Sequence, residues 1–154
     1  MAEQTNAPRE GEQVAPQHVI TTAENDWFLQ SLVSIVNASD MEIGITLFVS
    51  GALVSGQLVG GKHYFEGFAS EFATGFDDPE VAASFKRNFE KYGEIFVEPD
   101  GTYKQDLEAP HFIHLKNARM FHPGGKAIPD NRGTWWRGRI REISGFSLGS
   151  LSQS

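Results

Sequence analysis

Cysteine is absent from the 154-residue sequence, and basic side chains are scarce: 13 Lys and Arg stand against 20 Asp and Glu, for a net charge of −7. The lack of cysteine excludes disulfides, thiolate zinc sites, iron–sulfur clusters and cysteine nucleophiles. The first thirty residues lack the cationic start and apolar stretch of a secretory signal, so we expect a cytoplasmic protein. The overall acidity argues against sequence-blind binding of nucleic acid, which needs a positive field.

The longest stretch without charge has 19 residues and lies between Glu42 and Lys62. Its length would suit a membrane span, but it contains five glycines and its first half alternates between aliphatic and other residues. Alternation is typical of a half-buried strand, and Ser50-Gly51 suits a tight turn. We therefore predict a hairpin with strands over 43–49 and 52–59, and no membrane span.

The negative charge is unevenly distributed along the chain. Residues 1–109 carry 18 acidic and 6 basic side chains, whereas residues 110–154 carry 7 basic and 2 acidic ones. An asymmetry of this kind concerns the partners of a protein rather than its fold.

The composition divides the chain into a tail and one domain. Residues 1–23 are rich in Gln, Glu, Pro and Ala and hold few large aliphatic residues, so we predict a disordered N-terminal tail. Residues 24–154 are predicted to form a single α+β domain with a helical insert at about 62–92.

The domain is predicted to begin with a helix that Asn25 or Asp26 caps. Its apolar face is assigned from helical spacing to four residues, namely Phe28, Leu32, Ile35 and Val36. Two aromatic helices follow in the insert, the second starting at Asp78-Pro79-Glu80. Their aromatic and aliphatic positions are Phe65, Phe68, Phe72 and Phe76 in the first helix, and Val81, Phe85, Phe89 and Tyr92 in the second.

Three further strands are predicted over 112–121, 134–143 and 145–151, the last after a tight turn at Ser144-Gly145. Helix, two strands, a helical insert and three strands indicate an α+β fold. We expect its core to be a small, strongly bent antiparallel sheet or an SH3-like barrel of about five strands.

No pattern in the sequence indicates catalysis. Ser50 precedes Gly51, but it is not the serine of a G-x-S-x-G elbow. His111 and His114 are three residues apart on a predicted strand, so they point to opposite faces and cannot share a metal ion. We assign no catalytic residue, metal site or cofactor.

The most distinctive segment is Trp135–Arg141. Strand alternation places its functional candidates on one face, namely Trp135, Arg137, Arg139 and Arg141. Three guanidiniums beside an indole suit carboxylate, phosphate or aromatic partners. The alternative is that these arginines form weak surface ion pairs with the acidic part of the same chain.

Two blocks of this sequence resemble the gas vesicle accessory protein GvpU family. The first is Phe112–Asn117, and the second runs from Trp136-Arg137-Gly138 through Ile140, Glu142 and Gly145-Phe146 to Leu148-Gly149. Together with Ile45–Gly56, the likeness covers roughly residues 41–152, with a poor match over 66–110. It implies a cytoplasmic, non-enzymatic accessory protein whose partners are the gas vesicle shell protein and other copies of itself, with a role in vesicle assembly or clustering.

A second likeness concerns the fold. A leading helix, the pattern over Ile45–Leu58 and the later Arg137–Ile140 are similar to the Sm-like RNA-binding barrel. It supports a five-stranded bent sheet or barrel. It also leaves an alternative function, RNA binding through the same arginines and Trp135, although the net charge makes nucleic acid the less favoured partner.

Overall fold

The structure of this protein is a computed structural model, and it describes residues 24–152. The tail predicted over 1–23 lies outside the described residues. The helices are α1 (Trp27–Asn37), α2 (Gly61–Ala73) and α3 (Pro79–Glu90), and two 3-10 helices span Lys91–Phe96 and Ile140–Glu142. The strands are β1 (Ile43–Val49), β2 (Ala52–Val59), β3 (Phe112–Phe121), β4 (Thr134–Arg139) and β5 (Ile143–Leu148).

The uncharged run forms the predicted hairpin. Val49 pairs with Ala52, which leaves Ser50 and Gly51 as a two-residue turn. Both turn residues have positive φ angles, 50° for Ser50 and 80° for Gly51, as a type I′ turn requires. Across residues 24–152, no helix has both the length and the apolar character needed to span a membrane.

The five strands form one antiparallel sheet in the order β4-β3-β2-β1-β5. β4 and β5 therefore lie at opposite edges, yet only the three residues of the second 3-10 helix join them. So short a connection requires the sheet to bend until its edges approach each other. The predicted bent sheet is confirmed; β4 and β5 do not pair, so the sheet is open rather than a closed barrel.

The main core lies between α1 and one face of the sheet. The Asp26 side chain caps α1 by accepting hydrogen bonds from the backbone N–H groups of Phe28 at 2.8 Å and Leu29 at 3.2 Å. The fully buried members of this core include Leu29, Val33 and Val36 of α1 and Ile45, Leu47, Leu58, Ile113, Leu115 and Ile140 of the sheet and its second 3-10 helix.

The face of α1 that was predicted to be apolar is only partly correct. Val36 is buried, but Phe28 and Ile35 are 52% and 46% exposed. The buried stripe is Leu29, Val33 and Val36, one residue further along the chain. α1 carries apolar residues on most of its circumference, and the sheet, rather than the spacing within the helix, selects the face that is buried.

The last two strands differ from prediction. β4 ends at Arg139 instead of 143, because Ile140 turns into the core as a fully buried side chain of a 3-10 helix. β5 then begins at Ile143, so the turn predicted at Ser144-Gly145 is wrong, and both residues lie within β5.

The insert is a helical hairpin held together by aromatic rings. Phe72 of α2 contacts Phe89 of α3 at 4.9 Å between ring centroids, and Phe76 stacks on Phe85 at 4.8 Å. Both predicted aromatic helices are confirmed, although Phe76 lies beyond the end of α2 and Tyr92 lies in the first 3-10 helix. α3 has no buried residue and touches the rest of the protein chiefly through these rings.

Candidate functional site

β4 places Trp135, Arg137 and Arg139 on the sheet face that α2 covers, with Trp136 on the opposite face beside the α1 core. Arg137 lies opposite His114 of β3, and Arg139 lies opposite Phe112. The alternation predicted for this segment therefore holds as far as Arg139. Arg141 lies beyond the end of the strand, in the 3-10 helix.

Trp135 connects the insert to the sheet edge. Its half-buried indole lies against Gly67 in the middle of α2 and 6.2 Å from the ring of Tyr64, measured between centroids. A glycine is required where a helix approaches an aromatic ring so closely. The Trp135 indole therefore packs largely against other residues of the same chain.

Replacing Gly67 with alanine is expected to destabilise the protein by about 1–2 kcal/mol, although alanine is the better helix former. The added Cβ would overlap the indole of Trp135, so α2 must move away from β4. Urea denaturation measures the change. In a Trp135→Ala background the same substitution should become neutral or stabilising; an equal loss in both backgrounds would contradict the assigned contact.

Arg137 is held by two aromatic contacts and one hydrogen bond. Its guanidinium carbon lies 3.8 Å from the ring centroid of Phe112 and 5.7 Å from that of Phe65. Its Nη1 donates to His114 Nε2 at 2.6 Å. Partial burial lowers the pKa of Arg137, but an arginine stays charged at any physiological pH.

His114 is a neutral, buried histidine. Only 2% of it is exposed, and burial, followed by the nearby charge of Arg137, lowers the pKa of His114 to about 3. Because an arginine can only donate, Nε2 is the acceptor and the ring proton resides on Nδ1. That Nδ1 has no hydrogen-bond partner among residues 24–152.

Arg137, Arg139 and Arg141 are all exposed, whereas Trp135 is half-buried. Arg139 has no ion-pair partner within the described chain, and Arg141 lies 3.7 Å from its neighbour Glu142. The pairing of arginines with the acidic half of the chain is seen instead at Arg132, which lies 3.0 Å from Glu71 of α2.

A polar cluster that the sequence reasoning missed joins three distant segments. Asp40, just after α1, accepts a hydrogen bond from the Tyr103 hydroxyl and lies 3.1 Å from His63 Nε2 of α2. The Tyr103 hydrogen bond lowers the pKa of Asp40, while burial and Asp40 raise the pKa of Tyr103 to about 12. These three residues lie 23 to 63 positions apart in the chain, so no local pattern in the sequence could predict that they meet. The cluster anchors the insert and the loop after it to the end of α1.

The comparison with protein families finds a match over most of the chain. A family model described as gas vesicle protein GvpU-like matches residues 26–151. The chain belongs to this family. Comparisons with curated proteins and with solved structures found no match.

Membership of the GvpU-like family confirms the resemblance drawn from the two C-terminal blocks, and the match also extends over the insert that resembled the family poorly. It makes this a gas vesicle protein, associated with vesicles in the cytoplasm. The matched residues include every described strand and the whole β4 edge.

Proposed function

We propose that this GvpU-like protein is a non-enzymatic accessory protein that binds the gas vesicle shell and other copies of itself, and so influences vesicle assembly or clustering. The proposed binding surface is the edge formed by Trp135, Arg137, Arg139 and Arg141. The three arginines supply its exposed charge, and Trp135 and Arg137 also contact the insert.

The observation that carries this proposal is the separation of unpaired charge. Arg139 has no carboxylate partner in residues 24–152, and many acidic side chains of the insert and the loop after it are exposed and outside every ion pair described. These acidic residues are Asp77, Asp78, Glu80, Glu94, Glu98, Asp100, Asp106 and Glu108. The basic edge of one copy therefore complements the acidic insert of another.

Single contacts of this kind are weak, since exposed ion pairs contribute about 0–1 kcal/mol each. A vesicle surface presents many binding positions. A protein that binds this surface and also binds other copies of itself therefore gains avidity, because many weak contacts act together. Salt screens the attraction between these exposed charges over a distance of about 8–10 Å at physiological ionic strength. Self-association is therefore expected to weaken as salt is added.

We expect Arg139→Glu/Arg141→Glu to abolish self-association that light scattering detects at low salt, and to reduce co-flotation with isolated vesicles at least about tenfold. The matched control is Lys126→Glu, compared with Arg139→Glu alone, because it alters the net charge equally at an exposed residue that lies outside the insert and outside every ion pair described. The control should associate like the parent.

Scattering that stays unchanged from low to high salt would contradict the electrostatic mechanism. Protein left in the subnatant after flotation would contradict direct shell binding. The RNA-binding alternative uses the same arginines, and filter binding with oligo(U) and oligo(A) separates it: tight, salt-sensitive retention would replace our proposal, and no retention at low salt would remove the alternative.

A further inference from the structure

A cavity of about 540 Å³ lies between the insert and the beginning of β3. Its apolar wall comes from the first 3-10 helix through Tyr92, Ile95 and Phe96, and its floor comes from Phe112, His114 and Arg137. The volume falls within the range of about 300–1,000 Å³ typical of small-molecule sites. Tyr92 and Ile95 are 57% and 61% exposed, so apolar surface that a ligand would cover is left open to water.

The floor of this cavity has hydrogen-bonding capacity that the described protein leaves unused. Arg137 donates one N–H to His114 and forms no ion pair with any carboxylate of residues 24–152. His114, almost wholly buried, lines the same cavity, and its Nδ1 proton has no acceptor in that part of the chain. The remaining N–H donors of Arg137, at the edge of an apolar cavity, favour a ligand that accepts hydrogen bonds.

The charge of the lining selects among such ligands. Lys91 and Arg137 are cationic and Glu108 is anionic, so the lining has a net positive charge. Glu108 forms no ion pair with either cation among the described contacts. Guanidinium groups bind planar carboxylates with two parallel hydrogen bonds. The cavity thus combines an apolar wall with one end suited to a carboxylate.

We propose that this cavity binds a small apolar carboxylate, with its hydrocarbon part against Tyr92, Ile95 and Phe96 and its carboxylate on the guanidinium of Arg137. The cavity shares Arg137 with the proposed binding edge, but ligand binding there requires neither vesicle binding nor self-association, and Arg139 and Arg141 lie outside the cavity.

Calorimetric titration of the full chain with dodecanoate, kept below its critical micelle concentration, tests the proposal. One site per chain is expected. Dodecan-1-ol and dodecyltrimethylammonium have the same chain length without the carboxylate, and they should bind at least about tenfold more weakly because they lose a charge-assisted hydrogen bond. Equal binding of the three compounds would overturn the carboxylate assignment, and no binding of dodecanoate would overturn the site.

Three variants test whether dodecanoate binds in this cavity. Arg137→Met should weaken dodecanoate at least about tenfold and leave dodecan-1-ol unchanged. Ile95→Asp, at a residue 61% exposed in the free protein, should keep the fold and weaken both ligands. Arg139→Met is the matched control, because Arg139 lies on the same strand outside this cavity. A loss in Arg139→Met as large as that in Arg137→Met would overturn the location.

Discussion

Acidification from pH 7 to pH 4 is expected to lower the free energy of unfolding by about 3 kcal/mol through one side chain, His114. In the unfolded chain this histidine binds a proton below its ordinary pKa of 6.5, whereas in the folded protein burial and Arg137 hold it neutral down to about pH 3. The unfolded state therefore binds more protons throughout this interval. The stabilisation is complete above pH 6.5 and declines as the pH falls towards 3.

Urea denaturation at successive pH values measures this dependence, and His114→Gln supplies the control. Glutamine cannot titrate, and its side-chain oxygen still accepts from Arg137. The variant should be less stable at pH 7 and should lose a slope of about 1.4 kcal/mol per pH unit between pH 6 and 4. Acid effects from Asp40 and Asp100, whose pKa values are also lowered, remain in both proteins. Equal slopes would show that His114 is protonated in the folded state.

Gly60→Ala is expected to destabilise the protein by about 3 kcal/mol. Gly60 is the N-cap of α2 with φ −68° and ψ 157°, angles that alanine also adopts, so the cost is steric. A Cβ there would overlap the carbonyl oxygen of Val36 and lie 3.3 Å from Asn37 Cα. Both are backbone atoms at the end of α1, which cannot rotate away. The same junction holds the hydrogen bond from the Gly61 N–H to Asn37 Oδ1 at 2.9 Å.

Gly145→Ala provides the comparison for Gly60→Ala. Gly145 lies in β5, and its added Cβ would meet nothing closer than Phe48 Cδ2 at 3.8 Å. We expect this substitution to change the free energy of unfolding by less than about 1 kcal/mol. Thermal and urea unfolding of the two variants should therefore separate clearly. Similar losses in both would mean that the contact between Gly60 and α1 does not restrict the side chain.

Features that depend on neighbouring residues could be predicted from the sequence. The Ser50-Gly51 turn, the strands beside it and the two aromatic helices of the insert each follow from spacing within a short window. The buried face of α1 could not be predicted, because Leu29 and Phe28 are equally apolar and only the sheet distinguishes them.

The sequence predicts which residues of β4 share a face, but not which of them contact the rest of the chain. Alternation correctly placed Trp135, Arg137 and Arg139 on one face. That α2 covers Trp135, and that Arg137 joins His114 beside a cavity, depends on contacts between segments far apart in the chain. The end of β4 at Arg139 likewise depends on burial of Ile140 in a core built from other strands.

The exposed position of α3 has a consequence for the dynamics of the chain. A helix with no fully buried side chain loses less apolar burial on separating from its neighbour than α1 would, so it opens at a lower free energy than the α1–sheet core. Several carboxylates proposed to meet another copy lie on or beside this helix, among them Asp78 and Glu80. The acidic half of that contact is thus carried by the least tightly held helix, which can adjust to a curved or crowded surface while the arginine edge stays fixed to the sheet.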